Sequence, residues 1–223
     1  MNTSSDRVRV AIDGPSGAGK STVAKRVAEA IGADYIDTGA MYRAVALKLL
    51  RDGVDPASDI DGLVDLLSHT DINFTQGNVM LDGEDVTSMI RSPDVTAMAS
   101  RCSAFAPVRE KLVGLQRKMG DAKSVVMDGR DIGTNVFPDA EYKFYLTAST
   151  EERARRRYAE MTEAGGVADY REVLDAIKKR DYDDAHRSLN PLQRADYAIL
   201  IDTDGMGIEE VITKILSYMG NTD

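Results

Sequence analysis

Residues 8–32 read VRVAIDGPSGAGKSTVAKRVAEAIG. The apolar run at residues 8–12 is a short β-rich segment, and Val23, Val27 and Ile31 then recur at helical spacing before Gly32. Between them, residues 14–21 fit G-x-x-x-x-G-K-[ST] at every fixed position. The predicted order is strand, glycine-rich loop, helix. Glycines let successive N–H groups turn inward as an anion nest, and the helix that follows adds its positive end. Gly14, Pro15, Ser16, Gly17, Ala18, Gly19, Lys20, Ser21 and Thr22 are therefore the candidate triphosphate site. Lys20 reaches the β- and γ-phosphates and Ser21 is placed to bind Mg²⁺ directly. The motif points to a nucleoside triphosphate and leaves the acceptor open.

Working outward, the pattern repeats. Residues 34–37 (DYID) predict a second strand, and Thr38 is placed to cap a helix whose face carries Met41, Val45 and Leu49 up to Gly53. Composition changes over residues 54–103, which are rich in Asp, Ser and Thr, with a short helix (GLVDLLSH) and a hairpin built on QGN. EDVTSMI offers it a third strand. Pro107 opens a further helix with Val108, Leu112, Leu115 and Met119 on one stripe and Gly120 as its end. Strands at SVVMD, YKFYL and residues 196–202 (DYAILID), and helices from Thr150, Tyr170 and Ile208, complete the chain. Ser149 and Glu152 have capping-box spacing. The expected fold class is α/β: a parallel sheet of about five strands flanked by helices. Residues 6–53 and 104–220 form its core, with a helical lid near 150–168, and 54–103 form an inserted α+β region.

The 223 residues carry a net charge of −9, so no basic face for a nucleic-acid polymer is expected. The lone cysteine, Cys102, precludes an intrachain disulfide. No apolar run reaches membrane length, and the first residues lack the apolar centre of a secretory signal. The expectation is a cytoplasmic protein, monomeric, with no membrane partner.

Chemistry-bearing residues cluster in three further places. Residues 125–140 read VVMDGRDIGTNVFPDA: a buried strand ends in Asp128, followed by Arg130 and Asp131. On the helix from Tyr170, the stripe of Val173, Leu174 and Ile177 continues into Arg180, Asp181, Asp184 and Arg187. A core-facing stripe thus turns charged, which a helix-end ion pair or an anion cleft would each explain. Arg153, Arg156 and Arg157 sit on a helix able to act as a lid. Arg43 lies one turn into the second helix, and the two histidines, His69 and His186, have neither the spacing nor the partners of a dyad or metal site.

IDGPSGAGKST, DTGAMYRAVAL, LDGEDVT, SAFAPVREKL, MDGRDIGTNVFPDA, EERARRR and IKKRDYDDAHRSLNPL together resemble the bacterial cytidylate kinases, of the P-loop nucleoside monophosphate kinases. The resemblance implies transfer of the γ-phosphoryl group of ATP to CMP or dCMP, with Mg²⁺. It implies that Arg43, Arg130 and Arg187 hold the monophosphate and that Ser100, Arg109 and Asp131 read cytosine, Ser103 being a rival for Ser100. Asp184 would contact the ribose, with Arg180 beside it and Thr38 and Tyr42 in the same pocket. Lys20, Arg130, Arg187 and Asp128 would be the catalytic group, with Asp128 supporting Mg²⁺ through water. Ser21 stands where that family often has Gly. Two other readings stay open: a kinase for UMP or another small acceptor, and a nucleotide-hydrolysing switch. The absence of an N-K-x-D segment weighs against a guanine switch.

Overall fold

The computed structural model describes residues 7–163 and 165–220. The chain divides into two compact units, one of residues 1–35 with 123–223 and one of residues 36–122.

The first unit is built on β1 (Arg9–Asp13), whose Val10, Ala11 and Ile12 are wholly buried. Burial on both faces explains the unbroken apolar run. β1 lies between β6 (Val125–Gly129) and β7 (Tyr142–Thr147), with parallel pairing on both sides. With β2 (Asp34–Asp37) and β8 (Ile199–Asp202) the sheet order is β2-β6-β1-β7-β8. The chain leaves β1 toward β2 in one direction and passes from β6 to β7 in the other. The carboxyl ends of β1 and β6 therefore border a topological switch point, where open α/β sheets take their ligands. The register sets Ile12 opposite Asp128 and Asp13 opposite Gly129.

α1 (Lys20–Ile31) buries Val23, Ala24 and Val27 against the sheet and α8 (Ile208–Tyr218). α6 (Thr150–Glu163) and α7 (Tyr170–His186) pack on each other through Ala154, Val173 and Ile177. Ser149 does cap α6, accepting from Glu152 N at 3.3 Å, but Glu152 pairs with Arg155 and Arg156. β8 is shorter than DYAILID predicts, because Tyr197 has φ +61°, a left-handed backbone that cannot extend the strand. Arg187 falls just beyond α7 in an extended conformation, so its place is set by the following loop and not by the helical stripe.

The second unit contains α2 (Thr38–Asp52), α3 (Ile60–Ser68), α4 (Pro93–Cys102), α5 (Ala106–Ala122) and the antiparallel sheet β3-β4-β5. β3 (Ile72–Thr75) and β4 (Asn78–Leu81) form the expected hairpin; β5 (Glu84–Asp85) is brief and gives way to a 3₁₀ turn at Met89–Arg91. α2 packs chiefly on α4, whose apolar positions the composition had concealed. The cap of α2 is Asp37 and not Thr38: Asp37 Oδ1 accepts from Ala40 N at 2.8 Å. α5 runs through Gly120, since glycine permits a helix to end but does not force it. Its buried face is also rotated from the apolar stripe and includes Arg109 and Gln116.

Candidate functional site

In the first unit the loop between β1 and α1 is held by close approach. An added Cβ on Gly14 (φ +148°) would meet the Leu146 carbonyl oxygen at 1.9 Å. Lys20, the first residue of α1, is buried, and its Nζ donates to Pro15 O at 2.7 Å. Burial pushes the Lys20 ammonium well below its usual range; the nearby Arg130 guanidinium adds to this, and Asp128 and Asp13 oppose it. A buried ammonium so placed is a group awaiting an anion.

Ser21 Oγ donates to Asp128 Oδ2 at 2.8 Å, and Tyr35 donates its hydroxyl to Asp128 Oδ1 at 2.9 Å. A hydroxyl and a carboxylate side by side are the oxygen donors that suit Mg²⁺, which keeps several waters of its own. Asp13 is a buried carboxylate beside the loop that the sequence did not single out. Its two carboxylate oxygens accept from Ile132 N at 2.8 Å and Gly133 N at 2.7 Å. These open a π-helical turn, Ile132–Val136, directly after Arg130 and Asp131. Burial pushes the Asp13 carboxyl up to about 6, the two amide donors pull it down, and the Asp131 charge adds to the rise. The signal was present: Asp13 ends an apolar strand run as Asp128 does.

Arg130 donates from Nε to Asp184 Oδ2 at 2.7 Å. Burial alone would raise the Asp184 carboxyl, but Arg130, Arg180 and Arg187 together hold it below the usual range. Asp131, 6% exposed, accepts from Arg187 at 3.1 Å through Oδ1 and from Asn135 at 3.0 Å through Oδ2. Arg187 also donates from Nε to Asn190 O at 2.7 Å. Lys20, Asp128, Arg130, Asp131, Arg180, Asp184 and Arg187 are thus linked by hydrogen bonds or close charge within one unit. At the charged end of the α7 stripe, Asp184 pairs with Arg130 from outside the helix, with Arg180 close enough to act on its charge.

The expected lid arginines have different surroundings. Arg153 is 4% exposed and fully engaged, held by Asp181 among others. Arg156 donates to Glu152 Oε1 at 3.0 Å, to Thr203 Oγ1 at 3.0 Å and to Thr203 O at 2.7 Å. Arg157 is exposed and pairs with Glu160.

The second unit carries its own group. Arg43 donates to Asp37 Oδ2 at 3.0 Å, so the helix cap also orients this arginine, and its Nε is buried with no hydrogen-bond partner among the described residues. The Arg109 guanidinium lies 6.0 Å from the centre of the Tyr42 ring and donates to Ser103 O at 3.4 Å. The Ser103 hydroxyl donates to Ser100 O at 2.7 Å. Ser103 thus spends its hydroxyl proton locally, while Ser100 sits half-buried on α4 and Thr38 is buried at the start of α2.

The family model described as cytidylate kinase matches residues 10–221. A cytidylate kinase of Caldanaerobacter subterraneus subsp. tengcongensis is 52% identical over 93% of this chain and 92% of its own. Those of Caldicellulosiruptor bescii and Clostridium perfringens are 50% and 49% identical, over 94% and 95% of this chain and 94% and 97% of theirs. A crystal structure of an uncharacterized protein from Eubacterium ventriosum, 16% identical, superimposes with a TM-score of 0.54 over 97% of this chain and all of that one, a likeness of fold alone. A phosphate loop joined through Asp128 and Arg130 to a network of arginines and carboxylates, with a sequence match over nearly the whole length, places the chain in the cytidylate kinase family.

Proposed function

We propose that this protein transfers the γ-phosphoryl group of ATP to CMP, and to dCMP, giving ADP and the nucleoside diphosphate. The observation that carries this reading is the arginine–carboxylate network beside the phosphate loop: Arg130 on Asp184 and Arg187 on Asp131, with Lys20 buried next to Arg130. Arginines oriented by carboxylates are preorganised for a phosphate, since the fork geometry is set before the ligand arrives.

The loop of residues 14–22 cradles the ATP phosphates, and Lys20 leaves Pro15 O to meet the β- and γ-phosphates. Arg43, Arg130 and Arg187 hold the CMP phosphate, and Asp184 with Arg180 borders the ribose. Ser100, Arg109 and Asp131 read the base, and Thr38 and Tyr42 also meet CMP. Asp131 is a carboxylate and can only accept, which suits the cytosine N4 amine and opposes the uracil O4. The attacking CMP oxygen is already anionic, so no general base is required. The chain's task is to position the two phosphates and neutralise charge that spreads during transfer. Ser21 and Asp128 would hold Mg²⁺, Ser21 directly and Asp128 through water, and the ion when bound would neutralise phosphate charge. Arg156 and Arg157 on α6 remain candidates for a lid over the triphosphate.

The test is ADP formation with CMP, dCMP, UMP and AMP, and with no acceptor. Rapid ADP release that needs CMP or dCMP is expected. Equal release without acceptor would instead support a hydrolysing switch, and a preference for UMP would move the acceptor assignment.

A further inference from the structure

Arg153 has a complete set of hydrogen-bond partners. Its Nε donates to Ala148 O at 2.9 Å. One terminal nitrogen donates to Ser16 O at 3.1 Å and Asp181 Oδ1 at 3.0 Å, and the other to Thr150 Oγ1 at 3.0 Å and Asp181 Oδ2 at 2.7 Å. A guanidinium carries five N–H donors. All of them are spent, and the side chain is 5% exposed. The three regions it joins are distinct: the phosphate loop at Ser16, the start of α6, and α7 at Asp181. The approach to the loop is close, for a Cβ on Gly17 would stand 3.1 Å from Arg153 Cβ. Asp181 directly follows Arg180 and precedes Asp184 by one helical turn, so whatever fixes Asp181 fixes the charged face of α7.

We infer that Arg153 and Asp181 form a positioning strut, which sets the register of α7 against the phosphate loop, and that Arg153 does not ligate phosphate. This replaces its expected role as a lid arginine. A guanidinium that met a phosphate would have to release the carboxylate and the Ser16 carbonyl together. Fixed as it is, Arg153 transmits the position of the loop that holds ATP to the helix that carries Arg180 and Asp184. The inference rests on the kinase reading for its catalytic consequence and on geometry alone for the strut itself.

Asp181→Asn separates the two roles. If Arg153 were a phosphate ligand, Asp181 would compete with ATP, and its neutralisation would leave kcat unchanged or lower KM for ATP. For a strut, Asp181→Asn and Arg153→Lys each lower kcat/KM for CMP by roughly tenfold to a hundredfold, the range for a small misplacement of reacting groups. The double variant then falls no further than the worse single one, because both changes remove one linkage. Hydrogen exchange on folded Asp181→Asn should show faster exchange in both residues 14–19 and residues 180–186. Unchanged kcat/KM for CMP in Asp181→Asn, multiplied losses in the double variant, or unchanged exchange overturns the strut. Should Arg153→Lys not fold, Asp181→Asn decides alone, by its change in kcat/KM for CMP and by exchange. A wild-type protein that makes no ADP from ATP and CMP defeats the kinase reading, and the strut is then judged by exchange.

Discussion

Asp13 ends β1 and Asp128 is the next-to-last residue of the neighbouring β6, and their surroundings give them different work. Asp128 faces hydroxyl donors from Ser21 and Tyr35, whereas Asp13 faces two backbone amides at the π-helical turn after Arg130 and Asp131. Asp13 has a folded value of about 6, above the ordinary 3.8, because burial disfavours its charge. The folded protein therefore keeps a proton that the unfolded chain gives up. The stability this contributes is fully present below pH 3.8 and is lost as pH rises through about 6. Asp13→Asn removes the titration, so its stability relative to wild type should climb by up to about 3 kcal/mol between roughly pH 4 and pH 7. Urea denaturation of both proteins across that range measures it, and a flat difference means that Asp13 titrates normally. Asp131→Asn tests base reading. It should weaken CMP use through the lost Arg187 pair and the lost acceptor, and shift the CMP-to-UMP ratio of kcat/KM toward UMP by about 1–3 kcal/mol. Equal losses for both nucleotides would mean that Asp131 only holds Arg187 and the turn.

At the scale of the element, α7 shows how local chemistry and long-range contacts divide the labour. Its start is local: Asp169 Oδ1 accepts from Arg171 N at 2.8 Å and Glu172 N at 3.1 Å. Asp169→Ala should cost ~1 kcal/mol in equilibrium unfolding, the usual value of such a cap, with the change seen as a lower urea midpoint at constant slope. A midpoint unchanged within error would mean that packing on α6 alone sets the start of α7. Its apolar middle, Val173 and Ile177, follows from periodicity. Its charged end does not, since Asp181 and Asp184 find Arg153 and Arg130 from other elements.

Across the whole molecule, the two units carry separate sets of the residues proposed to meet substrate. The insertion expected at residues 54–103 lies within the unit of residues 36–122, which also takes in α2 and α5. Arg109, nearly buried beside Tyr42, belongs to that unit, while the phosphate loop belongs to the other. Arg109→Ala should therefore raise KM for CMP by about tenfold or more, as the loss of a charged hydrogen bond does, and leave KM for ATP within about twofold. Steady-state kinetics with both substrates varied decides it, with circular dichroism to confirm folding. A matching rise in KM for ATP would place Arg109 outside base recognition.

What the sequence determined by itself is whatever short range decides. The phosphate loop is a run of consecutive residues whose glycines and lysine have a meaning independent of the rest of the chain, and α1 and the middle of α7 follow from apolar spacing. The strand–helix alternation and the arginine-bearing motifs were legible for the same reason. Only the tertiary structure decided partners distant along the chain. Asp13 meets amides 119 and 120 residues away, Arg130 meets Asp184 54 residues on, and Arg153 reaches Ser16 across 137. A charged side chain in sequence shows its sign and its reach but not its partner. Burial makes that partner decisive: inside the protein a guanidinium must spend its donors, and which groups take them separates a phosphate ligand from a strut.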